Sequence, residues 1–248
     1  METIIGDVLK VSVCMATYNG EKYIQRQLDS ILKQLRADDE VIIVDDNSTD
    51  NSNNIFDNIN DIRVKVYKNK YNLGFLATFE KSMKLANGDI IFLSDQDDIW
   101  MDNKVEKILD VFETNKADIV CHDAIIIDNN NNILYNSFTE IRKINTSAMR
   151  NFIFNSYTGC CMAFRARLKE IILPIPADAI YHDRWIGIMG SLFNMNIQFA
   201  EDKLIYYVRH GNNASPMSKR SLTVIILDRI RLAKVIIARW LLFKRKVF

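Results

Sequence analysis

Between residues 11 and 113, short apolar runs alternate with longer segments whose apolar residues recur every three or four positions, and that alternation limits the fold more than any other feature. The runs at 11–16, 41–44, 64–67 and 90–93 have strand length, while 21–35, 75–86 and 104–113 carry helical spacing, as in Tyr23, Ile24, Leu28, Ile31, Leu32 and Leu35. A strand that is apolar along its whole length needs cover on both faces, and helices between consecutive strands provide it in a mostly parallel sheet. The pattern predicts an α/β fold. After Asp118 it changes to longer runs at 119–127 and 133–138 joined by Asn129, Asn130, Asn131 and Asn132, an expected hairpin, so the second half should be mixed. With 3 prolines and 8 glycines there is no flexible linker, and the elements should share one continuous core.

A chain of 248 residues, 48% of them hydrophobic, is long enough for such a core. Its formal net charge of +1 gives no global attraction to nucleic acid, so no nucleic-acid partner is expected. Cys14, Cys121, Cys160 and Cys161 lack CxxC spacing and lie on or beside apolar stretches, which reads as buried free thiols in a reducing compartment. The start METIIGDVLK has acids and no apolar run before a small-residue cleavage site, so no secretory signal and a cytoplasmic location are expected.

Four clusters can carry chemistry. VDDNSTD (44–50) follows the second strand run, and in an open parallel sheet ligands bind at the carboxyl ends of strands, which places Asp45 and Asp46 to meet a nucleotide. The same residues also suit a plain turn, with Ser48 or Asp50 capping the next helix. In SDQDDIW (94–100) the carboxylates of Asp95, Asp97 and Asp98 repel one another unless a cation or hydrogen-bond donors compensate, and hard oxygen ligands suit Mg²⁺ or Mn²⁺ bridging to a diphosphate. An acidic loop capping the helix that starts near Met101 is the alternative. Neither a G-x-G-x-x-G after the first strand nor a G-x-x-x-x-G-K-[ST] occurs, so phosphate handling would rest on a metal.

The third cluster, YHDRW (181–185), places Asp183 beside aromatic rings, where it could take a proton from a hydroxyl while the rings stack on a sugar; it could equally be a helix N-cap. The fourth, YYVRHGNN (206–213), offers His210 as a nitrogen ligand to the same metal and Arg209 to neutralise phosphate. The chain has only three histidines, His122, His182 and His210, and too few acids or thiols at zinc spacing for a structural zinc site.

In this order and at these separations, the clusters resemble glycosyltransferase family 2, inverting enzymes of GT-A fold, over about residues 11–213. The likeness is nearest to bacterial polysaccharide enzymes carrying VSVCMATYNGEKYI, SDQDDIW and R-x-H-G-x-N. It implies that Thr17, Tyr18 and Glu21 line the nucleotide pocket, that Asp46 accepts a hydrogen bond from the base with Asp45 in support, and that Asp95 lies near the ribose. It further implies Asp97 as direct metal ligand, His210 completing the metal shell, and Asp183 as catalytic base, the usual Glu-Asp or His-Asp pair here reading His182-Asp183. Asp98 makes the motif DxDD, associated with O-antigen transferases, while Arg209 departs from the residue often found before that histidine. Mn²⁺ or Mg²⁺ is the implied cofactor.

Over 218–248 the basic residues Lys219, Arg220, Arg229, Arg231, Lys234, Arg239, Lys244, Arg245 and Lys246 oppose the single acid Asp228, and Leu222, Ile225, Ile226, Ile230, Ala233, Ile237, Trp240 and Leu241 recur at helical spacing. No uninterrupted apolar run approaches the ~20 residues needed to span a bilayer. The segment reads as an amphipathic helix on anionic lipid, or as a helix packed on the domain with solvated charges. The expected division is a GT-A domain over 1–217 and a basic helix over 218–248, peripheral at the inner face of the cytoplasmic membrane. The resemblance implies transfer of glucose or galactose from a UDP-sugar to a polyprenyl-diphosphate-linked N-acetylhexosamine. A dTDP-rhamnose donor, a silent sugar-nucleotide-binding module, or a two-carboxylate glycoside hydrolase are the alternatives.

Overall fold

A computed structural model describes residues 9–211 and 221–244. Residues 1–8, on which the expectation of no secretory signal rests, Asn212 and Asn213 of the fourth cluster, and Lys219, Arg220, Arg245 and Lys246 of the basic tail lie outside the described residues.

The first half is the expected alternation: β1 (Val11–Thr17), α1 (Ile24–Leu32), β2 (Glu40–Asp45), α2 (Ser52–Asp57), β3 (Val64–Lys68), α3 (Phe75–Leu85), β4 (Ile90–Ser94), β5 (Ile99–Trp100) and α4 (Lys104–Thr114). The second half holds β6 (Ile119–Asp128), β7 (Ile133–Tyr135), α5 (Ala148–Ile153), β8 (Met162–Arg165), α6 (Lys169–Ile172), α7 (His182–Leu192), β9 (Ile197–Arg209) and α8 (Leu222–Lys244). All strands join one sheet in the order β3-β2-β1-β4-β8-β6-β9-β5, with β7 on β6. Strands β3, β2, β1 and β4 run parallel, and antiparallel pairing enters with β8, so the sheet is parallel and then mixed, as the sequence pattern implies.

Side chains along a strand point alternately to the two faces, and the core divides accordingly. Val11, Val13 and Met15 of β1, with Ile90 and Phe92 of β4, face a core closed by α1 and α4; Cys14, Ile91 and Leu93 face a second core closed by α3 and α7. This double burial explains why β1, β2 and β4 read as unbroken apolar runs. The four cysteines are free and buried, as expected.

Several boundaries differ from the periodicity. The helix expected over 21–35 begins at Ile24, because the Gly20 carbonyl accepts the Tyr23 and Ile24 amides at 2.9 and 3.1 Å in a preceding turn. The hairpin forms, but β7 stops at Tyr135, since Ser137 turns its hydroxyl to the Thr139 amide and opens a short 3₁₀ turn. Two short strands escape periodicity altogether: β8 fits antiparallel between β4 and β6, and β5 ties the acidic loop to β9 through Ile99 opposite Tyr206.

Helix α8 forms, and part of it packs on the domain. Leu232 is fully buried, Val235 and Ile236 pack on the second core, and Arg239 is buried with its guanidinium donating to the carbonyls of Ile171, Leu173 and Pro174 over the Trp185 ring. Arg239 is thus an anchor to the domain and not part of a solvated basic face. The opposite side leaves Leu222, Ile226, Ile230, Ile237, Trp240 and Leu241 exposed beside Arg231, Lys234 and Lys244.

Candidate active site

The parallel strands β1, β2 and β4 deliver the segment after Thr17 and two of the four clusters to one edge. Thr17 pairs with Asp45 across β1 and β2, and Met15 with Ser94 across β1 and β4, so the loops after all three strands emerge together. They open on a cavity of about 400 Å³ lined by Thr17, Tyr18, Asp46, Asn72, Gly74, Asp95, Gln96 and Asp97 among others. It adjoins a wider one of about 1160 Å³ that holds Asp183, Arg209 and His210. Phe75, Phe79, Asp95 and Tyr207 line both, so the two are halves of one cleft that meet at Asp95.

On the narrower side, a ladder of side-chain bonds sets the loops. Thr17 Oγ1 donates to Asp45 Oδ1 at 3.2 Å, and Asp45 also accepts the Ser48 amide at 2.9 Å and its hydroxyl, so the buried Asp45 holds the turn. Asp46 lines the cavity, yet its carboxylate already accepts Leu73 N, Gly74 N and Asn69 Nδ2, each at 2.8 Å. It therefore clamps the loop that enters α3, a task the sequence did not disclose. Tyr18 is half exposed at the rim, with Gln96 donating to its carbonyl and accepting its amide. Gly20 makes this possible, since a Cβ there would collide with the Gln96 amide. Glu21, expected in the nucleotide pocket, is absent from the lining of either half; its carboxylate accepts the Asn51 amide at 2.8 Å while its own amide donates to Asp50.

The acidic loop is held by α1, whose Gln27 and Arg26 donate to the carbonyls of Asp95 and Asp97 at 3.1 Å each. Asp97 Oδ2 lies 2.7 Å from His210 Nε2, and the His210 ring stacks on Tyr23 at 4.8 Å. Burial, then the neighbouring charges of Asp97 and Asp183, push the Asp95 carboxyl up to about 7. Asp98 points inward, accepts Val208 N at 3.2 Å, and keeps a buried Oδ2 without a hydrogen-bond partner; burial, with Asp97 and Asp95 adding to it, raises its carboxyl well above the usual carboxylate range. Behind these acids the buried ammonium of Lys104 donates to the Cys160 carbonyl at 3.0 Å and lies over Trp100; burial lowers its pKa to about 8.

Two donor sets are available to a cation. Asp95, Asp98 and Cys160 bring ligand atoms within 4.8 Å of one another, but the neighbouring Cys161 thiol and burial raise the Cys160 pKa and keep its thiol protonated. Asp97 and His210 offer a carboxylate and an imidazole, which suit a hard or borderline divalent ion better than a thiol does. Three crowded carboxylates, with Asp95 and Asp98 raised above the usual carboxylate range and one buried Asp98 oxygen unpaired, fit a compensating divalent charge on the cleft side.

Across the cleft, Asp183 stands at the start of α7, its burial pushing the carboxyl up to about 6 against the opposing pull of the Arg184 amide and Asn155, which donates at 3.3 Å. His182 is buried against Phe79, with ring centroids 4.1 Å apart, and neither ring nitrogen has a partner; burial drops its pKa to about 3, so the ring is neutral. Sequence reading found the acids of this site but missed Gln96, Lys104, Cys160 and Asn155. Of these only Lys104 left a signal, a cation six residues after Asp98 at the head of a helix.

The pattern of the family described as Glycosyl transferase family 2 matches residues 12–173, which includes Asp46, Asp95 and Asp97 and ends before Asp183 and His210. The chain is 32% identical over 181 residues to an Escherichia coli protein, UDP-Glc:alpha-D-GlcNAc-diphosphoundecaprenol beta-1,3-glucosyltransferase WfgD, covering 72% of this chain and 69% of that one. It is 38% identical over 121 residues to dTDP-rhamnosyl transferase RfbG of Shigella flexneri, covering 46% of this chain and 41% of the relative. In fold it is similar to S. aureus TarS 1-349 in complex with UDP-GlcNAc, with TM-score 0.69 and 21% identity over 89% of this chain. This chain spans 66% of that TarS chain, less than two thirds of its length. The expected GT-A fold is the one observed, and the chain belongs to glycosyl transferase family 2.

Proposed function

We propose that this protein is an inverting glycosyltransferase that moves glucose or galactose from a UDP-sugar to a lipid-diphosphate-linked N-acetylhexosamine during O-antigen or related surface-polysaccharide synthesis. One observation carries the reading: a single cleft has Asp97 in its narrower half, Asp183 and the Asp97 partner His210 in its wider half, and Asp95 at the junction. The narrower half would take the nucleotide, with Thr17, Tyr18 and Asp95 around it and Asp46 holding the loop under it. The wider half would take the acceptor.

In this mechanism the acceptor hydroxyl is held at Asp183, whose carboxylate takes its proton as the oxygen bonds to the anomeric carbon. The bond from that carbon to the diphosphate breaks on the opposite face, so configuration inverts. Asp97 and His210 would hold Mn²⁺ or Mg²⁺, which when bound offsets charge on the leaving diphosphate. Lys104 limits the repulsion among the acids from behind, and Phe75, Phe79 and Tyr207 form an aromatic wall on which a sugar can stack. The likeness to WfgD, a UDP-Glc:alpha-D-GlcNAc-diphosphoundecaprenol glucosyltransferase, supports this donor and acceptor; the likeness to RfbG favours dTDP-rhamnose as the second reading.

Residues 1–217 are read as the catalytic unit and 218–248 as the segment that holds it at the inner face of the cytoplasmic membrane. Among the described residues no helix is long and apolar enough to cross a membrane, and the exposed side of α8 mixes apolar with basic residues as a lipid-surface helix does. The donor is tested by thermal unfolding with UDP, dTDP and GDP, each with and without Mn²⁺, because a ligand of the native state raises its stability. Manganese-dependent protection by UDP alone is expected. Preferential protection by dTDP would transfer the assignment to rhamnose, and no protection by any nucleotide would favour a binding module or hydrolase.

A further inference from the structure

The wider half of the cleft carries positive charge that the transfer step does not use. Arg142, from the segment after the 138–140 turn, Arg209, at the end of β9, and Arg229, on α8, all line it. None of them lines the nucleotide half. Arg142 is close enough to Asp183 to draw its carboxyl pKa down, and is positioned by donation to the Tyr157 carbonyl at 3.2 Å. Arg229 is positioned by donation to the Ile153 carbonyl at 2.6 Å. The Arg209 side chain has no hydrogen bond among the described residues, and the acids lining the same cavity are Asp95, Asp183 and Asp228.

Beside these cations the same cavity is edged by exposed apolar side chains, Leu134, Ile141, Ile153 and Phe154. Guanidinium groups matched to phosphate oxygens, next to an apolar edge, describe a receptor for an amphiphile with a phosphate head and a hydrocarbon tail. We propose that Arg142, Arg209 and Arg229 bind the diphosphate of the lipid-linked acceptor, with the first units of its hydrocarbon chain on the Leu134, Ile141, Ile153 and Phe154 edge. The acceptor sugar then bridges the two charged regions, its attacking hydroxyl at Asp183 and its anomeric phosphate at the arginines. The proposal rests on the reading of Asp183 as the base. It adds a site that fixes which end of the acceptor enters first.

The test is a binding measurement that needs no turnover. Isothermal titration calorimetry on the full chain compares GlcNAc joined through diphosphate to a short alkyl chain with the same sugar and chain lacking the diphosphate, and UDP is titrated separately. The diphosphate ligand is expected to bind at least roughly tenfold more tightly than the neutral one, and Arg209→Gln and Arg142→Gln each to remove roughly tenfold of its affinity without changing that of UDP. Arg142→Lys, which keeps the charge, should restore part of the loss. Arg209→Gln is the cleaner variant because no side-chain bond is lost with it. Equal binding of the two ligands by the unaltered protein overturns the proposal, as does a parallel loss of UDP affinity, which would give the arginines to the donor. Charge-dependent binding of the sugar diphosphate in a protein that ignores UDP would uphold the arginine site while rejecting the proposed donor.

Discussion

A carboxylate held in a buried place ionises at a cost, and Asp183 shows the consequence most directly. With its pKa raised to about 6, it is a stronger base than an exposed aspartate yet is still largely ionised at neutral pH. As the base must be deprotonated, the rate of transfer should climb as pH rises through about 6 and level off above it. Asp183→Asn should lower that rate by roughly 10²–10⁴-fold. It should not lower the melting temperature at neutral pH, because the amide avoids the burial cost of the charge; a flat pH–rate profile or an active Asn variant would remove Asp183 from this role. The acids at 46, 95, 97 and 183 were legible in the sequence because an adjacent strand or helix pattern fixed their place. Gln96 and Cys160 were not, since their roles depend on partners 78 and about 60 residues away, Tyr18 and the Asp95–Asp98 loop, and no local spacing encodes such distances.

At the scale of elements, the loops of the narrower half of the cleft are held by side chains and not by a regular ladder. Asp46 gathers three donors from the segment leading into α3, and removing a buried charged acceptor leaves those groups unpaired at roughly 1–3 kcal/mol each. Asp46→Ala is therefore expected to destabilise the fold by several kcal/mol at most, and to speed hydrogen exchange at the amides of Leu73 and Gly74. Unchanged exchange there would mean that Asp46 acts only on the ligand. Arg239 plays a comparable part for α8, and Arg239→Ala should expose that helix to proteolysis while the rest of the domain resists; uniform resistance would mean the apolar contacts of Leu232, Val235 and Ile236 suffice. Element type was readable wherever strands and helices were long and periodic. β5 and β8, of two and four residues, carry no period, and their place comes from the sheet edges they complete.

For the whole molecule, the sheet brings residues far apart in sequence into one cleft, Asp97 and His210 being separated by 113 residues, with α8 along its wider half. The exposed Ile230 and Ile237 near Arg231 and Lys234 should carry the protein onto vesicles containing anionic phospholipid. Replacing both isoleucines by serine should abolish co-flotation without shifting the melting temperature, and persistent flotation of that variant would reject α8 as the contact. The account as a whole is tested most directly by incubating the protein and Mn²⁺ with UDP-glucose and GlcNAc-diphosphate-alkyl acceptor, then determining the anomeric configuration of the product by NMR. A β-linked glucosyl product that disappears with Asp183→Asn is the predicted result; an α-linked product, or donor hydrolysis without transfer, would contradict it.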